Sequence, residues 1–386
     1  MKKVLVTDAK LRSSLAIIRS LGKHNMKITA GSETKSAIGL FSKYTSEKII
    51  YPNPRTSPDA FLKYLLTIVK KDNYDCIIPS HTYTVFLLSK YRDVFSDYVK
   101  LVPPDFEVFY NAYNKKKLIQ IAIENGVACP KTYFSDNLDE IVSTVQQYPV
   151  VVKSSRHHNV GIAICDTESD LRENYANMIG KYGPCIVQEF IPNGGEFGVY
   201  ALFDFNSEPI ALTVQKRIRT LYHYGGASTL RETVKDKECT QIALNLLKKI
   251  RWSGVAMVEF KIDARDKTLK LMEINPRFWG SLQLSILSGV DFPYLLYQLM
   301  AQDNPPRNLN YKEGIKCSWL LGDITKNSNK LDVIMDFFRT NIHYDIISLN
   351  DPIPGVISFF FAKRFRCDEE YLEDNPNIAL NELIEC

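Results

Sequence analysis

Two rhythms of hydrophobic and polar positions run through the first hundred residues. A short apolar run, Val4 to Thr7, precedes a segment in which Leu11, Leu15, Ile18 and Leu21 recur at helical spacing. Gly22 is placed to end that helix, and a second strand is expected around Lys27 to Ala30. Phe61 to Val69 then reads as a helix and Cys76 to Pro79 as a strand. Strand–helix–strand order of this kind predicts a parallel sheet covered by helices. The first strand–helix turn, Asp8-Ala9-Lys10-Leu11-Arg12, has no glycine, so the close approach to a pyrophosphate that dinucleotide-binding folds need is not provided there.

Beyond residue 110 the rhythm changes. A helix is expected from Lys115 to Asn125, ended by Gly126, with Pro130 opening an extended stretch. Strands are expected at Val150–Lys153, Ile162–Cys165, Cys185–Glu189, Phe197–Phe203 and Ile210–Gln215. Residues 236–250 form an amphipathic helix, Val255 to Asn275 a hairpin, and Phe292 to Ala301 another helix. The segment 304–314 reads as a linker, and residues 315–386 have little usable periodicity.

Composition narrows the function classes. The 386 residues are 45% hydrophobic and 24% charged, which fits a globular chain of two or three domains. A net charge of +4, from 48 basic and 44 acidic residues, points to neither nucleic acid nor a membrane surface as partner. The N-terminus is too short in apolar residues for a signal sequence, and no run approaches the roughly 20 residues needed to span a bilayer. The eight cysteines include no C-x-x-C pair, which suits buried thiols in a reducing cytoplasm.

The richest chemistry lies in GVAMVEFKIDARDKTLKLMEINPRFWGS, residues 254–281. On the first strand Met257, Glu259 and Lys261 share a face, with Val258, Phe260 and Ile262 on the other. On the second, Leu271, Glu273 and Asn275 are expected to share a face. If the hairpin is symmetric about Asp266, Glu259 lies opposite Glu273. Like charges so placed repel, and a divalent cation between them reverses the sign. Asn275 adds a neutral oxygen ligand, and Arg277 a planar fork for an anion.

MEINPR (272–277), preceded by VEF (258–260), resembles the metal-binding hairpin of ATP-grasp enzymes such as biotin carboxylase, D-alanine–D-alanine ligase and carbamoyl phosphate synthetase. The longer string through residue 293 looks most like the predicted carboxylate–amine ligases of that superfamily. The resemblance implies an α/β and α+β chain, an ATP-grasp fold preceded by a Rossmann-like parallel α/β domain. Its parts would be the Rossmann-like domain (1–110), an N-terminal lobe (111–185), a C-terminal lobe with the metal hairpin (186–303) and a C-terminal extension (304–386).

By resemblance, Glu273, Asn275 and Glu259 bind two Mg²⁺ ions that bridge the ATP phosphates, with Mn²⁺ able to substitute, and Arg277 meets the transferred phosphoryl group or the substrate carboxylate. YNKKKLIQIAIENGVACPKT (113–132) resembles the helix that opens the ATP-grasp region. It selects Lys115 as a nucleotide lysine, with Lys116 and Lys117 as neighbouring alternatives and Asn114 where aspartate is usual. YPVVVKSS (148–155) supplies Lys153 for the α- and β-phosphates, with Ser154 and Ser155 as donors. IVQEFIPNGGEFGVY (186–200) resembles the adenine hinge, with Glu189, Phe190 and Ile191 at the adenine edge and Glu196 at the ribose. The loop SSRHHNVG (154–161) departs from the family in having one glycine, with Arg156, His157 and His158 in place of the others. QKRIRTLYHYGGASTLRET (215–233) resembles the wall of the acceptor pocket, where Lys216, Arg217 and above all Arg231 are candidates to bind an anion.

The activity so implied is ATP-dependent joining of a small-molecule carboxylate to an amine or thiol through an acylphosphate, with release of ADP and phosphate. Transfer of the phosphoryl group to a different acceptor, a carboxyphosphate-forming carboxylase and a non-catalytic ATP-binding regulator are the alternatives; absence of a Met-Lys-Met biotin site weighs against carboxylation. A homodimer is compatible with the family.

Overall fold

A computed structural model describes residues 2–360 apart from 102, 156, 159, 160, 223, 224, 303, 304, 327–329, 338 and 340, together with Glu370–Tyr371. Strands β1 (Lys3–Val6), β2 (Lys27–Ser32), β3 (Thr45–Ile50) and β4 (Cys76–Ile78) form a parallel sheet in the order β3-β2-β1-β4. Both faces of β1 are covered, hence its unbroken apolar run. Val4 and Val6 enter one core with the helices Arg12–Lys23 and Phe292–Ala301, and Leu5 enters another with the helices Pro58–Lys71 and Thr82–Lys90.

The glycine-free first turn is closed by its own aspartate. Asp8 adopts a left-handed conformation (φ 56°), and Oδ2 accepts from Ser80 N (3.1 Å), His81 N (3.0 Å) and Thr84 Oγ1 (2.6 Å). The carboxylate thus ties the turn after β1 to the segment that opens the helix Thr82–Lys90, whose N-cap is His81, with Nδ1 accepting Tyr83 N (3.1 Å). The first helix does not stop at Gly22: it runs to Lys23, and the chain turns at Asn25 (φ 58°). Gly22 is instead a contact point, since a Cβ there would fall 2.5 Å from Tyr44 Cβ.

A four-stranded antiparallel sheet comes next, ordered β5-β9-β6-β8, from β5 (Thr132–Tyr133), β6 (Val150–Ser154), β8 (Ile162–Cys165) and β9 (Cys185–Glu189). Between β6 and β8, β7 (His157–His158) pairs with β17 (Glu370–Tyr371). Val150, Val152 and Val187 face helix Glu168–Tyr182 and form this lobe's core.

The largest sheet has seven strands in the order β14-β13-β10-β11-β12-β15-β16. They are β10 (Asn193–Phe203), β11 (Pro209–Tyr222), β12 (Gly225–Thr233), β13 (Gly254–Asp263), β14 (Leu269–Asn275), β15 (Lys316–Ser318) and β16 (Ile342–Tyr344). One face packs on helix Lys237–Lys249 through Val199, Val214, Leu246, Trp252, Val258 and Phe260. The other contributes Tyr200, Leu202, Val255 and Met257 to the core of the first domain, so residues 1–110 and this sheet share apolar packing rather than merely touching.

The C-terminal region is integral to that sheet. Asn308 N donates to Ile210 O (2.7 Å) and Tyr311 OH to Val234 O (2.7 Å), so the described part of the expected linker is bonded along the sheet. Asp351 is clamped by Arg19 Nε (2.9 Å), Ser42 Oγ (2.7 Å) and Lys43 N (2.9 Å) of the first domain. Among the described residues, no helix is long and apolar enough to cross a membrane. Cys76, Cys165, Cys185, Cys239 and Cys317 are buried free thiols.

Candidate active site

The hairpin β13–β14 has the register its sequence symmetry predicts at the point that matters: Glu259 pairs with Glu273. It reaches that register through an irregularity. Phe260 pairs with Leu271, so Met272 is an extra residue on β14, a bulge that reverses which side faces which. The expectation that Leu271 shares a face with Glu273 and Asn275 is therefore corrected. Leu271 and Ile274 enter the core beneath the sheet, whereas Glu273 and Asn275 join Glu259 on the opposite face.

Asn275 Nδ2 donates to Glu273 Oε1 (2.9 Å), and its amide oxygen accepts Arg277 Nη2 (3.5 Å). Arg277 Nε donates to Thr82 Oγ1 (2.8 Å) of the first domain and Nη1 to Phe278 O (3.0 Å), so its guanidinium is held between the sheet and that domain. Two carboxylates and an amide oxygen on one face are all hard oxygen donors, a set that fits Mg²⁺ with its remaining positions left to phosphate and water.

Cations surround these acids. Arg217 Nη1 donates to Glu196 Oε2 (2.8 Å) and Nη2 to Glu259 Oε1. Burial opposes the charge on Arg217, but Glu259 and Glu196 outweigh it and hold its pKa above the ordinary value. Burial, with Glu273 adding to it, pushes the Glu259 carboxyl above the usual carboxylate range despite Arg217. Lys153 is brought down to about 8, chiefly by burial and then by Lys115, with Glu273 pulling the other way. Lys261, 8% exposed on the Glu259 face, is lowered by burial and supported by Glu196 and Asp263.

Of the three lysines at the start of helix Lys115–Glu124, Lys115 is the buried one. Lys116 pairs with Asp136 (3.2 Å) and Lys117 bonds Asn111 Oδ1 (3.0 Å). Asn114 has its own structural reason, accepting Lys117 N (3.2 Å) as the helix N-cap. Ser155 N and Oγ both donate to Pro184 O (2.9 Å each), and Ser154 N donates to Gly161 O (2.9 Å), so these groups close the loop onto its own lobe. Arg156 lies outside the described residues, and His157 and His158 are described only as backbone. Beside Lys153, Ile162 and Ile164 leave apolar surface uncovered, at 51% and 38% exposure.

At the expected hinge, Glu189 N donates to Lys131 O (2.9 Å) and Phe190 N to Pro149 O (3.2 Å), while Ile191 is buried. Glu196 is drawn into the Arg217 bridge and accepts Asn193 Nδ2 (3.3 Å). Lys216 is exposed, on the face opposite Arg217, and leaves the site. Arg231 is 1% exposed and pairs with Asp345. Lys261, Tyr200 and Arg12 were not singled out by motif. Lys261 was within reach of period-two alternation from Glu259, whereas Tyr200 and Arg12 needed the tertiary contacts.

Residues 182–322 match a family model described as ATP-grasp in the biosynthetic pathway with Ter operon. The chain superposes on biotin carboxylase from Campylobacter jejuni, in a complex with β,γ-ATP, with TM-score 0.69 at 16% identity, over 82% of this chain and 74% of that one. The chain has the ATP-grasp fold. N5-carboxyaminoimidazole synthetase from Staphylococcus aureus superposes at TM-score 0.68 and 15% identity, over 87% and 85% of the two chains. Among curated relatives, a probable alpha-L-glutamate ligase of Stutzerimonas stutzeri (strain A1501) is 21% identical over 200 residues. That match covers 50% of this chain and 64% of the relative, under two thirds of its length. The hairpin β13–β14, Glu196 and Arg231 lie within the matched residues, and Lys115 and Lys153 precede them.

Proposed function

We propose that this ATP-grasp chain is an ATP-dependent ligase. It transfers the γ-phosphoryl group of its substrate ATP to a small-molecule carboxylate and passes the resulting acyl group to an amine, releasing ADP and phosphate. The observation that carries the reading is the half-buried, facing Glu259–Glu273 pair with Asn275 beside it and Arg277 beyond. Arg217 offsets the charge of Glu259 but not that of Glu273 as well, and Mg²⁺ held by the pair would supply neutralisation of phosphate charge. The ligase name of the curated relative, and the β,γ-ATP complex of the Campylobacter jejuni biotin carboxylase, favour the same chemistry.

Each side chain then has one task. Lys115 and Lys153 hold the α/β-phosphate side as fixed positive charge. The uncovered Ile162 and Ile164 give a purine an apolar bed, and the adenine edge is read by Ile191 and by carbonyl oxygens of the hinge, since the N–H groups of Glu189 and Phe190 are committed. Arg217 must yield Glu259 to the metal and Glu196 to the ribose. Arg277, fixed by Thr82, stabilises charge on the group in flight. No protein nucleophile is needed, because in-line transfer between oxygens is governed by positioning and charge.

The structural neighbours favour one variant in which bicarbonate is the carboxylate, because a biotin carboxylase domain from Hydrogenobacter thermophilus is described with MgADP, ADP and bicarbonate. Chromatography of nucleotide products, with pooled metabolites plus or minus bicarbonate, tests both forms. ADP is expected, and hydroxylamine should trap the acylphosphate. AMP formed in step with product would sink the phosphoryl-transfer reading and the roles given to Glu273, Asn275 and Arg277.

A further inference from the structure

The hairpin that joins β6 to β8 carries a strand partner from far along the chain. At its base Ser154 N donates to Gly161 O (2.9 Å), next to the Lys153–Ile162 pair. At its tip β7 pairs antiparallel with β17, His158 opposite Glu370 and His157 opposite Tyr371. The same β17 lies against the helix Thr82–Lys90, whose first residue accepts Arg277 Nε through Thr82 Oγ1 (2.8 Å). One short strand thus meets both the loop that follows Lys153 and the helix that holds Arg277.

A two-residue strand has little stability of its own, so its tether matters. Nine residues, 361–369, lie between the end of the helix Ile353–Phe360 and Glu370. That helix follows Asp351, which Arg19, Ser42 and Lys43 clamp to the first domain. Pairing of β17 with β7 is therefore an intramolecular closure at high effective concentration, firm enough to form and weak enough to be displaced.

The pairing and a bound polyphosphate make opposing demands on the loop. In an antiparallel pair alternate residues direct both N–H and C=O at the partner strand. One of His157 and His158 therefore gives its N–H to β17, and that donor is withheld from a phosphate oxygen. Charge works in the same direction. The stretch 368–374, DEEYLED, to which β17 belongs, has five acids and no base. A strand from such a stretch repels phosphate from the loop beside Lys153.

We infer that Glu370–Tyr371 is an autoinhibitory strap, which holds the loop after Lys153 in an extended pairing and competes with the phosphates of the nucleotide for that loop. The identity of the competitor rests on the ATP reading of the site, whereas the strap itself can be read without nucleotide.

Two variants of the full chain test it. Glu370→Pro/Tyr371→Pro removes whichever N–H faces β7, and Glu369→Gln/Glu370→Gln/Glu373→Gln keeps the backbone and removes three charges. Hydrogen exchange without nucleotide should be faster across 154–161 in the proline variant than in the parent, and equal rates overturn the strap. By calorimetry both variants should bind MgADP at least fivefold more tightly than the parent. A synthetic peptide of residues 366–376 should return the proline variant toward the parent value. Equal or weaker MgADP binding by the proline variant overturns the proposal, because weaker binding would make the strand part of the nucleotide site. Should the proline variant fail to fold, the charge variant carries the same comparison. In the parent, MgADP should speed exchange across 368–374, and a slowing there overturns the competition. Absence of MgADP binding by the parent and both variants condemns the ATP reading and the competition with it, while exchange across 154–161 still judges the strap. Equal affinities in all three proteins overturn the strap's role and leave the ATP reading standing.

Discussion

Lys153 is the residue where burial and function pull against each other. Its pKa near 8 means that the charged form is disfavoured by desolvation and by Lys115. A bound polyphosphate would raise that value again, so between about pH 8 and 10 the nucleotide complex should hold more protons than the free protein. Affinity should therefore fall as pH rises through this window, with proton uptake on binding. Calorimetry in buffers of different ionisation enthalpy measures that uptake, and Lys153→Met should abolish it. The same substitution should weaken ATP binding far more than Lys116→Met, because Lys116 is spent on Asp136. Equal affinities in the two variants would refute the role. Glu273→Gln keeps the shape and removes one of two facing charges, so it should cost on the order of a hundredfold or more in turnover while leaving the fold intact. A Glu273→Gln enzyme with most of its activity at ordinary Mg²⁺ would remove Glu273 from the metal set.

Among the elements, the hairpin shows how one extra residue redirects chemistry. The turn end of β13–β14 and the end that carries Glu259 and Glu273 differ in register by the Met272 bulge. Without it, Glu273 would point into the core. The bulge predicts a stability contrast that regular alternation would invert. Leu271 is fully buried, so Leu271→Ala should cost about 2–5 kcal/mol, and Met272→Ala less than about 1 kcal/mol. Urea unfolding of the two variants decides it, and comparable losses would contradict the bulge. The strand β12 makes a related point. Its central position in the sheet, with β15 on its outer side, is what buries Arg231.

Across the molecule, the parallel sheet, the seven-stranded sheet and the C-terminal segment are joined by shared apolar packing and by buried ion pairs. Arg19 and Asp351 are 6% and 1% exposed. Removing one partner leaves the other charge buried and unpaired, so Asp351→Ala should destabilise by about 3–5 kcal/mol. Because the first domain and the large sheet share one core, the loss should appear as a shift of a single transition in chemical denaturation. An unchanged midpoint, or an early separate transition of residues 1–110, would show that the segment is not bound as described.

Local periodicity, and symmetry about one turn, were enough to read the strand–helix order of the first domain, the alternating hairpin and the pairing of Glu259 with Glu273. Family resemblance offered Lys153, Asn275 and Arg277 as candidates, together with Lys115 and its neighbours Lys116 and Lys117. That Lys115 is the buried one of these three came only with the packing of their helix, since the three are equivalent along the chain. The inward turn of Leu271 also needed the folded sheet, because a bulge shifts alternation without a sign in composition. Arg12, Arg231 and Asp345 met only in three dimensions, since groups more than a hundred residues apart become neighbours once the sheets have closed on a common core.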